Sequence, residues 1–120
     1  MEVLNMTEIN IGKDTFRLRL NTRSSIQLEK ALGYNPLNML IDAADNKMPK
    51  KMDVITMLHA MLQAYHHGYT LDKTMDLFDL YIDDGHNMFE IIPTFVEVLT
   101  DAGYIPKDAE GKNEGTNAKN

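Results

Sequence analysis

The chain of 120 residues contains no cysteine, which excludes a disulfide scaffold, a cysteine zinc site and a thiol nucleophile, and fits a reducing cytoplasm. It also lacks any run near the roughly 20 apolar residues that span a bilayer, and its first residues show no basic segment leading into an apolar one. No membrane contact and no secretion are therefore expected. Basic residues are the minority, 12 against 18 acidic ones, and the net charge of −6 repels phosphate backbones, so nucleic acid is a poor partner on charge alone. Absent too are the glycine-rich phosphate loops G-x-x-x-x-G-K-[ST] and G-x-G-x-x-G and the serine elbow G-x-S-x-G. Four histidines, His59, His66, His67 and His86, remain with Asp83 and Asp84 as the only conceivable metal or acid–base set. His59 and His66 lie two helical turns apart, about 10 Å, too far for one ion to bridge directly. The place four residues after His59, where a helical metal pair would continue, holds Gln63. No catalytic residue, no metal and no cofactor is expected, and the chain reads as a binding protein rather than an enzyme.

What is present is punctuation. Thr7 to Ile11 alternates polar and apolar residues, Gly12-Lys13-Asp14 connects, and Phe16, Leu18 and Leu20 alternate with Arg17 and Arg19, which together signal a β-hairpin. Two strands alone are marginal, so the hairpin needs a surface, either the helices or a neighbouring subunit. Asn21 or Thr22 can cap a helix over about Arg23 to Leu32, ended by Gly33, with Ile26, Leu28, Ala31 and Leu32 on one side and Arg23, Gln27 and Lys30 on the other. Asn35-Pro36 is an N-cap and first-turn pair for a second helix to about Ala44, carrying Leu37, Leu40 and Ile41. A third helix is expected from about Lys51 to His67, stopped by Gly68; its apolar arc is wider than one stripe, which marks it as central. Thr70 caps a fourth, Leu71 to Asp84, with Leu71, Met75, Phe78 and Ile82 as one face widened by Leu77 and Tyr81. A fifth spans about Asn87 to Ala102, and Pro93 requires a kink there, or a fresh start near Ile92 after a short helical turn.

The fold class is thus mainly α: an N-terminal β-hairpin, a compact bundle of about five helices, and a disordered C-terminal tail. Residues 1–106 form one domain on this reading, and 107–120, without a large apolar side chain, form the polar tail.

Two features bear on binding. Nine methionines are many for this length, and Met39, Met52, Met57, Met61, Met75 and Met88 read first as core filler. Because the third helix is apolar over more than one face, Met57, Met61, Leu62 and Tyr65 are nonetheless candidates to line a client-binding groove. Charge is also uneven: Lys13, Arg17, Arg19 and Arg23 gather on and beside the hairpin, whereas from Thr70 to Tyr104 one lysine faces eight carboxylates. That asymmetry suggests electrostatic matching between copies and a homo-oligomer, with Arg17, Arg19 and Arg23 as self-association residues.

The segment Phe16 to Leu40 resembles the opening of tail assembly chaperones from long-tailed phages and prophages of Gram-positive bacteria. Those proteins commonly begin with a hairpin, a T-R-x-x-x-x-L-E-x-x-L-G helix and an N-P-L turn, matched here by Thr22-Arg23, Leu28-Glu29, Leu32-Gly33 and Asn35-Pro36-Leu37. The stretch Val54 to Gly68 is similar to the family's central helix, and the resemblance covers roughly residues 7 to 104. It implies a non-enzymatic protein of the host cytoplasm that coats the helical tape measure protein before the tail tube forms and is absent from the finished virion. A small nucleic-acid-binding regulator using the basic hairpin and first helix is the alternative.

Overall fold

In the computed structural model, which describes residues 7–107, Thr7–Ile11 (β1) and Asp14–Leu18 (β2) pair antiparallel, with Ile9 opposite Phe16 and Thr7 opposite Leu18. The period-two pattern puts Thr7, Ile9, Ile11, Phe16 and Leu18 on the covered face and Glu8, Asn10, Thr15 and Arg17 in solvent. Gly12 turns the chain at φ +63°, a conformation glycine adopts without a Cβ penalty. The surface the hairpin needed is supplied by its own helices. The Arg19 amide donates to the Met61 carbonyl at 3.0 Å, and the Arg17 amide to His66 Nε2 at 3.1 Å.

Helix α1, Thr22–Leu32, begins in a reciprocal cap: the Ser24 amide donates to Asn21 Oδ1 and the Asn21 amide to Ser24 Oγ, at 2.9 and 3.0 Å. It ends at Gly33, φ +84°, whose amide reaches the Glu29 carbonyl. Helix α2, Leu37–Ala44, follows Pro36, and Asn35 Oδ1 accepts from the Leu37 amide as an N-cap would. Helices α3, Lys51–Leu62, and α4, Leu71–Asp83, come next, the second capped by Thr70. A 3-10 turn at Met88–Ile91, capped by Asn87, leads into α5, Ile92–Asp101. Pro93 thus sits in the first turn of a new helix, where no backbone donor is missed.

Helix α3 is the centre: Val54, Met57, Leu58, Met61 and Leu62 are wholly buried, and the helix packs against α1, α4 and β2 while α5 covers α2 and β1. Two tyrosines pin the outside. Tyr34 Oη donates to Asp53 at 2.8 Å, joining the α1–α2 turn to α3, and Tyr104 Oη donates to Glu29 at 2.6 Å, joining the segment after α5 to α1.

Four expectations are corrected. Helix α3 stops at Leu62 rather than His67, because Gln63 Nε2 donates to both the His59 and Tyr69 carbonyls and folds the connection back. That turn places His66 and Tyr69 edge-on to Phe16, with ring centroids 5.2 and 5.6 Å away. On α4 the buried set is Thr74, Leu77, Phe78 and Tyr81, so Met75 and Ile82 face solvent. Ile26 on α1 and Ile41 on α2 are exposed as well, the covered positions being Ser25 and Leu28, and Met39 and Leu40. Among the methionines expected as filler, Met39, Met57 and Met61 are core, whereas Met52 and Met75 are exposed. The expected tail lies outside the described residues except for Lys107.

Candidate interaction surface

The sequence-predicted groove does not exist on α3. Met57, Met61 and Leu62 have no exposed surface, since α1, α4 and the hairpin enclose the helix; of the four candidates Tyr65 alone, 42% exposed, is accessible. The apolar arc spreads over more than one face because the helix is surrounded, not because one face awaits a client.

The arginines, by contrast, are brought together. Alternation on the strand and its continuation turns Arg17 and Arg19 to the same outer face, and the capped start of α1 delivers Arg23 beside them. The connection after α3 closes the other side. A cleft of about 360 Å³ results, lined by Arg19, Asn21, Arg23, Ser24, Gln27, Gln63, Ala64, Tyr65 and His67. Arg17 extends the cation row, its guanidinium 5.6 Å from the Tyr65 ring centroid, within the range of cation–π attraction. Next to the cleft lies a second depression of about 420 Å³ bordered by Thr22, Arg23, Ile26, Gln27 and Lys30. No carboxylate lines either one. The surface can bind anionic groups and offers exposed Tyr65 and Ile26 as apolar anchors.

Several other polar side chains have structural partners, whereas the buried Ser25 hydroxyl has none among the described residues. His66 accepts from the Arg17 amide, which places its own proton on Nδ1. His86 Nδ1 lies 2.7 Å from Glu90 Oε1, and its ring stacks on Tyr81, centroids 4.5 Å apart. Burial, followed by the Glu90 charge, pushes the Tyr81 phenol upward. Burial and then the Asp53 acceptor push the Tyr34 phenol upward as well. Among the described residues no group of three or more His, Asp or Glu is arranged to hold a metal, and no helix is long and apolar enough to cross a membrane.

A feature the sequence reading missed lies on α4. Asp72, Asp76, Asp79 and Asp83 follow the spacing i, i+4, i+7, i+11 and are all exposed, so they form one acidic stripe directly opposite the buried Thr74, Leu77, Phe78 and Tyr81. The signal lies in the spacing of the acids, which falls on one face only when they are placed on a helix.

A family model described as a family of unknown function (DUF6096) matches residues 5–120, and the chain belongs to that family. No curated protein and no solved structure matches it.

Proposed function

We propose that this chain is a phage tail assembly chaperone, which binds the helical tape measure protein in the host cytoplasm and keeps it soluble until the tail tube forms around it. One observation carries the reading. Residues 16–40, the segment on which the resemblance rests, form a single continuous unit of hairpin strand, reciprocally capped helix, Gly33 stop and Asn35-Pro36 restart. The role asks for surface rather than chemistry: an apolar helix held in water needs apolar contacts, without catalysis or cofactor. Exposed apolar side chains are at hand away from the cationic cleft, in Ile41, Met48 and Met52, all within the α2–α3 segment 41–52. Each is already about half covered, so burying the rest contributes on the order of 1 kcal/mol; one copy binds weakly and a row of copies along one long client binds well.

Co-expression with a tape measure protein from the same genome tests this. The client should move from the insoluble to the soluble fraction, and Ile41→Asp with Met52→Asp should abolish the rescue without changing the melting temperature of the chaperone. A client that stays insoluble with the wild-type protein would sink the function; rescue that survives the double variant would sink only the surface.

The cationic cleft is the one feature that favours the second reading, a nucleic-acid-binding regulator. That reading requires affinity for a DNA or RNA duplex that falls steeply with salt, against a chain whose net charge is −6.

A further inference from the structure

The cationic cleft and the acidic stripe are complementary surfaces of one molecule, carried by elements that each pack on α3. The stripe from Asp72 to Asp83 runs about 16 Å along α4 at 1.5 Å per residue. Like charges four residues apart repel along an isolated helix. Lys73, the only base on α4, does not lie on that stripe, and among the described residues no ion pair engages the four carboxylates. Equally, Arg17, Arg19 and Arg23 have no carboxylate partner among the described residues. Each surface has apolar company: Met75 and Ile82, two turns apart, flank the stripe, and Tyr65 and Ile26 flank the arginines.

We propose that the cleft is a docking site for a second copy of this chain, which lays its α4 stripe along Arg17, Arg19 and Arg23. Charge complementarity selects the occupant. Four aligned carboxylates meet Arg19 and Arg23 in a cleft without acids, with Arg17 beside it opposite Glu8 on the outer face of the hairpin, and the flanking apolar side chains close over the contact and exclude water. Guanidinium–carboxylate pairing is favoured by geometry as well as charge, since the planar fork matches two carboxylate oxygens. The two surfaces differ, so the contact is heterologous: each added copy presents a free cleft at one end and a free stripe at the other, and the assembly grows head to tail into a ring or an open row. The inference stands on the two surfaces alone and does not depend on the identity of a client.

Sedimentation velocity on the full chain tests it. The wild-type sedimentation coefficient should rise with protein concentration at low ionic strength and fall back to the monomer value in about 1 M salt, where the screening length shrinks to roughly 3 Å. Arg19→Glu with Arg23→Glu should be monomeric, and so should Asp76→Lys with Asp79→Lys, both with wild-type circular dichroism. Mixing the two double variants should restore association, because each supplies the charge that the other now needs. A wild type that is monomeric at every concentration overturns the proposal, as do charge-reversed variants that associate like the wild type, or folded variants whose mixture stays monomeric. Salt-sensitive binding of a DNA duplex by a monomeric wild type, lost in Arg19→Glu with Arg23→Glu, would assign the cleft to nucleic acid and overturn it equally.

Discussion

Met61 sits with no exposed surface between the hairpin and the helices, its carbonyl holding the Arg19 amide. An unpaired charge there belongs to the few changes that cost more than about 4 kcal/mol, a large part of the roughly 5–15 kcal/mol that stabilises a domain. Met61→Asp should therefore abolish the helical circular dichroism signal at 25 °C; a folded variant would show that the side chain can reach solvent. Tyr104 makes a subtler prediction. Burial, and after it the Glu29 acceptor, push its phenol up to about 12, whereas an unfolded tyrosine titrates near 10. The folded state thus holds the proton longer, and its stabilising contribution is complete below pH 10 and lost as pH rises from 10 to about 12. Tyr104→Phe, without the hydrogen bond, should cost about 1 kcal/mol at pH 7 by urea unfolding, and the difference from wild type should shrink over that alkaline range. At this scale sequence and structure part company over burial. Apolar character at positions 57, 61 and 62 was plain, but whether a wide arc means groove or centre depends on what packs around it.

Helix limits were legible wherever a local interaction sets them. Asn21 with Ser24, Gly33, Asn35-Pro36, Thr70 and the break at Pro93 all act through neighbours in the chain. The end of α3 was not legible, because the group that stops it is a side chain reaching forward to the Tyr69 carbonyl, and Gly68 offered a plausible but later stop. Gln63→Ala removes two part-buried hydrogen bonds and should destabilise by about 1–2 kcal/mol in chemical denaturation, more than a surface change allows. Pro93→Ala should move the midpoint by no more than about 0.5 kcal/mol, since a first-turn proline forgoes no intrahelical bond; a large loss would mean that the ring does more than start the helix. The phase of α4 was misread for a physical reason. Counting Leu71, Met75 and Ile82 as equal to Leu77 and Tyr81 rotates the apparent apolar face, while Thr74, polar by type, lies at the true centre with its hydroxyl bonded to the Thr70 carbonyl. The acidic stripe is the better guide, for four carboxylates on one side of a helix mark the side opposite the core. Of the candidate surface, the arginines could be read from the sequence and the cleft could not, since its far wall is made by the unforeseen turn after α3.

Across the whole molecule the hairpin and the helices are one cooperative object. Phe16 is buried on strand β2, meets His66 and Tyr69 edge-on, and is followed by two amides, Arg17 and Arg19, that the helical part receives. Ile9 and Ile11 complete the same core from β1, which rests on α4 and α5. A hairpin that served only as a projecting arm would leave the helices intact when it melted. This one closes over α3, so removing its central side chain should be felt by every helix. Phe16→Ala should cost about 3–5 kcal/mol through lost burial and the cavity left behind. For a domain of this size that lowers the melting temperature by on the order of 15 °C or more. The far-ultraviolet helical signal and the tyrosine fluorescence should fall together in a single transition. Helical melting that stays at the wild-type temperature while the hairpin amides lose their exchange protection would instead make the strands a separable arm, and the cleft that depends on Arg17 and Arg19 would lose its rigid wall.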